Sequence, residues 1–350
     1  MTKLIVILGA TGTQGSSVVN SFLGEPSWKI RAVTRSPTSS TAKALSTKGI
    51  EVVKADVNDP ASLVAAFQGA NAIFAVTDFW GTFHTVKPED LEPGQYPGII
   101  AKAKEFQAAK NIMDAAATIV DAGLERFIWS GLSQTSKWSK GKYTWNYHFD
   151  GKAEATEYMK EKLPNLAAKA SIIQIGFYAS NMKLFESFRP KKQSDGTYLL
   201  IRPCPGDSPL PFIVTHKDTG PLVKALITQL PPGKNLLAYS EMMTYDEYIA
   251  LWAKVVGVTA RGKQCTIEEY DRMIPGGVGR ETGESASYAT EFGYDGGDPE
   301  VTKTKDVSVT VVYLASVIGL LTYRVQLGVE VHLTKLEDYF REEDWSDVLG

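Results

Sequence analysis

An α/β fold of Rossmann type, a doubly wound parallel sheet with a smaller irregular α/β substrate lobe, is predicted by three features of this sequence. An apolar run at residues 4–8 meets glycines at positions 9, 12 and 15. Strand-like and helix-like segments then alternate as far as Tyr178, the rhythm of a parallel sheet. Beyond that point the rhythm breaks, with Pro203, Pro205, Pro209 and Pro211 crowding one stretch. The expected division is a first domain over 1–178 and a smaller lobe with the tail over 179–350.

Residues 4–8 show no polar alternation, which suits a central strand covered on both faces. Gly9, Gly12 and Gly15 follow as G-x-x-G-x-x-G, with Thr11, Thr13 and Gln14 among the residues between them. Such glycines allow a tight turn and a close backbone approach to a diphosphate. The next helix, 16–23, aims its N-terminus at that charge. Residues 29–34 read as the second strand, 35–40 as a polar turn, 41–48 as a helix and 51–54 as the third strand. Asn58-Asp59-Pro60 caps a helix over 61–67. The fourth strand is 72–76, a long helix over 106–121 closes at Gly123, and 127–129 is the fifth strand. A helix over roughly 151–162 leads to a sixth strand at 171–175. In the second half, 219–230 and 244–256 read as isolated amphipathic helices. The cluster Gly276-Gly277-Val278-Gly279 has no strand before it and reads as a loop.

At 350 residues the chain holds one large or two small domains. Its 43% hydrophobic and 22% charged residues are ordinary for a soluble globular protein. A net charge of −3 gives no electrostatic footprint for direct nucleic-acid binding. Cys204 and Cys265 are too few for a disulfide framework, and His84, His216 and His332 lack metal-ligand spacing, so no metal is expected. The short apolar run after Lys3 is the first strand rather than a signal peptide, which makes the cytoplasm the expected location. One segment fits nothing around it: residues 307–323 carry no charge over 17 positions, the short limit for a membrane span.

In a dinucleotide fold, the end of the second strand selects the cofactor. An acidic residue there bonds the ribose hydroxyls of NAD, and an arginine accommodates the phosphate of NADP. This strand ends Val33-Thr34-Arg35-Ser36, without an acid. Arg35 offers a fork of donors to phosphate and Ser36 a hydroxyl, so NADP is the expected cofactor. Asp56, ending the third strand, either accepts from the adenine amino group or serves the approach to the next helix.

The stretches Gly9-Ala-Thr-Gly12-Thr-Gln-Gly15, Arg31-Ala-Val-Thr-Arg35-Ser-Pro37, Phe74-Ala-Val-Thr-Asp-Phe-Trp80 and His148-Phe-Asp-Gly-Lys152 recur in order along the chain. Gly176-Phe-Tyr-Ala-Ser-Asn181 and the tail Glu342-Glu-Asp-Trp-Ser346 complete the set. Together they resemble the NmrA-like family of atypical short-chain dehydrogenases/reductases, which includes fungal regulators and a mammalian redox sensor. The resemblance implies a Rossmann-type domain that binds NADP(H), in a family holding both sensors and oxidoreductases.

Short-chain dehydrogenases move a proton with a tyrosine, hold the nicotinamide ribose with a lysine four residues on, and polarise a carbonyl with a serine. The corresponding register here reads His148-x-x-x-Lys152, one face of a helix. Lys152 is expected to hold the ribose. His148 either moves the proton, as an imidazole titrating near neutrality does, or makes only a local hydrogen bond. Ser130, just past the fifth strand, is the serine candidate, with Ser133 beside it, and Thr77 is expected at the cofactor. Aromatic residues surround the proposed site: Phe79, Trp80 and Phe83 after the fourth strand, and Trp138, Tyr143, Trp145 and Tyr147 before the helix. Phe177, Tyr178 and Asn181 are placed to line it from the other side. Two aromatic clusters suit a large, flat or polycyclic substrate.

The expected function is therefore an NADP(H)-dependent oxidoreductase acting on a sizeable organic substrate in fungal secondary metabolism. The alternative is a non-catalytic NADP(H) sensor that regulates transcription through a protein partner. Lys152 in register and the aromatic walls favour the enzyme, and neither a membrane nor a nucleic acid is an expected partner.

The resemblance also exposes an insertion. Relatives pass from a Lys-Asp pair directly into a Leu-Gly-Val-type stretch, whereas here Lys305-Asp306 and Leu327-Gly328-Val329 are separated by the twenty residues 307–326. These begin Val-Ser, as a fungal splice donor read in frame would encode, and end in Gln, as the acceptor CAG would encode. The expectation is a translated, unspliced intron rather than a membrane anchor. Sequencing of the transcript is expected to show a dominant cDNA without the codons for these residues; a dominant cDNA that keeps them refutes it.

Overall fold

The computed structural model describes residues 2–307 and 331–349. The six expected strands are present as β1 (Lys3–Leu8), β2 (Trp28–Thr34), β3 (Glu51–Lys54), β4 (Ala72–Ala75), β5 (Arg126–Gly131) and β6 (Ala170–Ile175). Every residue of β4 and β6 is buried, as suits central strands covered on both faces; β4 is wholly apolar, and β6 also buries Ser171 and Gln174. Between them lie α1 (Thr13–Phe22), α2 (Ser40–Thr47), α3 (Pro60–Phe67) and α4 (Phe79–Phe83). Then come α5 (Pro97–Ala117), α6 (Thr135–Trp138), α7 (Tyr147–Lys162) and α8 (Pro164–Ala167). Asp59 caps α3 by accepting from Ser62 N, with Pro60 at the first turn.

Past β6 the chain forms β7 (Phe177–Tyr178), α9 (Asn181–Leu184), β8 (Lys191–Lys192), β9 (Tyr198–Arg202) and β10 (Pro209–Ile213). It continues through α10 (Thr215–Thr228), β11 (Asn235–Ala238), β12 (Glu241–Thr244), α11 (Tyr245–Val256) and β13 (Ala260–Gln264). The last elements are α12 (Ile267–Met273), α13 (Val278–Phe292), β14 (Val301–Lys303), α14 (Thr304–Val307), α15 (Leu336–Glu342) and α16 (Ser346–Leu349).

The main sheet has eight strands in the order β14-β11-β6-β5-β4-β1-β2-β3, with all neighbours parallel. Chain order reverses at β1, between β2 and β4, so the glycines after β1 stand at the topological switch point, where such sheets bind ligands. Two three-stranded sheets, β12-β10-β7 and β13-β9-β8, build the smaller lobe.

The structure corrects the sequence reading in several places. The 178/179 boundary does not separate the two parts, because β11 and β14 return to the main sheet. Those strands have only 4 and 3 residues, too few for periodicity to register. Helix α5 begins at Pro97 rather than near residue 106, with the proline preset for a first helical turn. Helix α7 begins at Tyr147 rather than Gly151. It has no side-chain cap of its own, and His148 N donates instead to Glu281, far away in sequence. The aromatic segment after β4, for which no helix was expected, contains α4, capped by Asp78 through Gly81 N at 2.8 Å. Of the second glycine cluster, Gly276 and Gly277 remain in a loop while Val278 opens α13. The suspected insertion at 307–326, apart from the backbone of Val307, lies outside the described residues. Among the described residues, no helix is long and apolar enough to cross a membrane.

Helices α1 and α10 meet at backbone distance. Gly220 N donates to Ser17 Oγ at 2.8 Å, and a Cβ at Gly220 would collide with the Ser17 carbonyl oxygen. Gly220→Ala should therefore cost about 1–3 kcal/mol by forcing α1 away. Thermal unfolding reads this as a lowered Tm, and an unchanged Tm would contradict the close approach.

Candidate active site

The turn after β1 is built by its own backbone. Gly9 adopts a φ of +62°, and its carbonyl accepts from Gly12 N at 2.8 Å. A Cβ at Gly15 would collide with that same carbonyl, so only glycine lets α1 start this close to the strand. Gly12 is the N-cap of α1, and no side chain caps the helix. Its first N–H groups are thus left for an anion, which fits a diphosphate. Thr11 and Thr13 are exposed beside it. Arg35 and Ser36 are exposed at the end of β2, and Arg35 makes no ion pair among the described residues. A free guanidinium over the glycine turn fits a phosphate. Asp56 makes local hydrogen bonds: its Oδ1 accepts from the backbone and side-chain nitrogens of Asn58 at 2.9 and 3.1 Å.

Lys152 is buried on α7, and its Nζ pairs with Glu105 Oε1 of α5 at 2.6 Å. Thr77, after β4, accepts from the same Nζ at 2.8 Å through Oγ1, which in turn donates to Glu105 Oε1 at 2.7 Å. The remaining ammonium proton points to the Thr77 carbonyl at 3.3 Å, the longest of the three bonds and the one most readily exchanged for a ribose hydroxyl. Glu105 itself is buried, with Oε2 unpartnered.

One turn earlier, His148 Nδ1 lies 2.6 Å from Glu281 Oε1 of α13, and His148 N donates to that oxygen at 2.9 Å. Burial pushes the Glu281 carboxyl up, and the bond to His148 pulls it back. The imidazole is walled by Phe79, Trp80 and Phe149, whose ring centroids lie 5.6, 5.3 and 4.9 Å away. Tyr147 packs on Gly98 of α5 and joins the cluster of Phe79 and Phe83.

Tyr143 is the clear departure from expectation. It is buried in the lobe core, its hydroxyl donates to Glu291 at 2.7 Å, and its ring packs on Phe292. It therefore lines no cleft. An aromatic-rich segment shows that rings will cluster but not which way each one turns.

Ser130 Oγ donates to Gln14 Oε1 at 2.8 Å, and Gln14 Nε2 donates to the Tyr178 hydroxyl at 2.7 Å. The serine reaches a carbonyl only by giving up Gln14, whereas Tyr178 keeps its own proton to donate. Phe177, Tyr178 and Asn181 line a single small cavity together with Met182, Phe188 and Leu200. Ser133 is structural, bonded to the Tyr294 carbonyl at 2.7 Å.

Two site residues escaped the sequence reading, Glu105 and Glu281. Glu105 carried a faint signal. It lies on the helical stripe Ala101, Glu105, Ala109 and Ile112, all buried, where a carboxylate needs a buried partner. Removing it leaves the Lys152 ammonium buried alone. Glu105→Ala should cost about 3–5 kcal/mol in urea unfolding, and Glu105→Gln clearly less. A loss below about 1 kcal/mol for the alanine variant would mean that the pair does not hold α5 to α7.

Comparison with known proteins places this geometry in a family. The pattern of the NmrA-like family matches residues 1–339. The NmrA-like family domain-containing oxidoreductase FrzB of Cladobotryum sp is 30% identical over 297 residues, covering 79% of this chain and 77% of that protein. A second relative, hkm9 of Aspergillus hancockii, named in the same way, is 29% identical over 279 residues and 74% of each chain. Among solved structures, the negative transcriptional regulator NmrA in complex with NADP superposes with a TM-score of 0.66 at 18% identity, over 97% of this chain and 95% of that one. The NADPH-dependent quinone oxidoreductase QOR2 of Escherichia coli, complexed with NADPH, gives 0.61 at 21% identity, over 83% and 90%. These structures share the Rossmann-like fold of the main sheet. With its family pattern matched over nearly its whole length, the chain belongs to the NmrA-like family.

Proposed function

We propose that the protein is an NADP(H)-dependent oxidoreductase that moves a hydride to or from a sizeable, flat organic substrate of the kind made in fungal secondary metabolism. The observation that carries this is Lys152, buried between Thr77 and Glu105 with one exchangeable hydrogen bond, a single turn from His148. The glycine turn and the start of α1 would receive the diphosphate, Arg35 and Ser36 the ribose phosphate, and Lys152 with Thr77 the nicotinamide ribose. When bound there, the dinucleotide supplies or takes the hydride. His148 would give or take the proton, and Tyr178 would donate a hydrogen bond to the substrate oxygen.

Aromatic rings stand beside the paired charges at this position. Trp80 packs on both His148 and Phe185, and Phe177, Tyr178 and Asn181 face one apolar cavity. Such a lining suits a neutral aromatic group more than a sugar or a small acid. The oxidoreductase names of the fungal relatives support the enzyme reading, and the NADP and NADPH complexes of the fold neighbours support the cofactor. The likeness to the regulator NmrA, at 18% identity, speaks for the fold alone.

Absorbance at 340 nm, followed with NADPH on carbonyl and imine panels and with NADP on an alcohol panel, should reveal turnover that Lys152→Ala abolishes. Tight dinucleotide binding without turnover on any panel would favour the sensor. For the cofactor, Arg35→Ala should weaken NADPH by about 1.5–3 kcal/mol, roughly tenfold to a hundredfold in Kd, and leave NADH nearly unchanged. Equal losses for both dinucleotides would remove Arg35 from the phosphate.

A further inference from the structure

We propose that Glu281 is the positioning residue of a His148–Glu281 dyad, fixing the imidazole with its proton on Nδ1 and leaving Nε2 as the atom that exchanges a proton with the substrate. The proton-exchange half of this rests on the oxidoreductase reading above. The geometry stands apart from it.

Two donors of one residue converge on a single oxygen. His148 N and Nδ1 reach Glu281 Oε1 at 2.9 and 2.6 Å, and the carboxylate is only 1% exposed. An ionised carboxylate accepts and does not donate, so with Glu281 ionised it is Nδ1 that carries the proton of this bond. The opposite nitrogen, Nε2, has no hydrogen-bond partner among the described residues. The aromatic rings packed on the imidazole, among the described residues, are Phe79, Trp80 and Phe149, and the side chain keeps 15% of its surface open. The arrangement is the carboxylate–imidazole orientation used wherever a histidine must present one chosen nitrogen.

The hold on His148 extends beyond one bond. One turn along α13, Glu284 accepts from Thr144 N and Trp145 N at 2.7 and 2.8 Å and is itself held by Arg280 Nε at 2.9 Å. Helix α13 thus grips the segment leading into α7 through three backbone N–H groups, in place of the side-chain cap that α7 lacks. The charged and titratable groups around the dyad are Glu281, Glu284 and Arg280 from α13, and Tyr147 and Asp150 from α7. From α5 comes its uncapped N-terminus at Gly98, close to Glu281 Oε2, where the helix dipole favours a carboxylate.

In the reducing direction, His148 Nε2 gives its proton to the substrate heteroatom as a hydride from NADPH reaches the adjacent carbon. The imidazolium is left neutral, with Nδ1–H still on Glu281, and solvent returns the proton to Nε2. Oxidation runs the same steps in reverse, with NADP as hydride acceptor.

Nitrogen NMR of histidine-labelled protein reads the tautomer directly. The chain has 4 histidines, and His148→Asn assigns the signal. Neutral His148 should be the Nδ1–H tautomer in the wild type and in Glu281→Gln, whose amide oxygen still accepts. In Glu281→Met it should revert to the Nε2–H form that a free side chain prefers. With a substrate found, Glu281→Met should lower kcat at least roughly tenfold while the Kd for NADPH stays within about twofold, and Glu281→Gln should restore much of kcat. If Glu281→Met fails to fold, the wild-type and Glu281→Gln spectra decide alone. An Nε2–H tautomer in the wild type overturns the dyad even if turnover is found. An Nδ1–H tautomer without turnover on any substrate upholds the positioning by Glu281 and counts against the oxidoreductase reading instead.

Discussion

The ion pair between Lys152 and Glu105 sets the site because neither charge is tolerable in that position alone. Both side chains are taken almost wholly out of water, and losing one partner would strand the other. The pair therefore fixes α7 against α5. The same register continues through Lys102–Glu154 at 2.5 Å and through the Tyr158 hydroxyl to Asp114 at 2.6 Å. Once α7 is held there, its earlier turn delivers His148 to Glu281 and Trp80. The pairing also changes what Lys152 offers to a bound ribose. With its charge matched by Glu105, it contributes a directed hydrogen bond more than a net positive field.

A second carboxylate does for His148 what Glu105 does for Lys152, but from the other part of the molecule. Glu281 and Glu284 belong to α13, which packs on α12 beside the smaller lobe rather than within the strand–helix repeat. The site is thus completed across the two parts. The glycine turn and Arg35 come from the sheet, the two polar residues of α7 sit above it, and α13 orients one of them. Aromatic rings from α4 and from the segment after β6 close the sides, and the proposal of a flat apolar substrate rests on them.

What was legible in the sequence is what local pattern encodes. The unbroken apolar strands, the three glycines after β1 and the His-x-x-x-Lys spacing each depend on neighbours a few residues away, and each appears where the pattern put it. Glu105 and Glu281 were not legible because their meaning comes from partners 47 and 133 residues distant. The early starts of α5 and α7 were hidden for related reasons. The first turn of α5 is small and weakly patterned, and α7 borrows its cap from α13. Tyr143 shows the limit of reading aromatic clusters, since its ring packs in the lobe core and its hydroxyl is held by Glu291.

The most direct test of the central claim is transfer of the hydride itself. Purified protein would be incubated with NADPH deuterated at nicotinamide C4 and a flat, neutral carbonyl or imine acceptor, and the product weighed by mass spectrometry. The account predicts one deuterium at the reduced carbon, delivered from one face of the nicotinamide and lost in Lys152→Ala. Tight NADPH binding with no deuterium in any product across a broad acceptor panel would contradict it and leave a site that binds the dinucleotide without reacting.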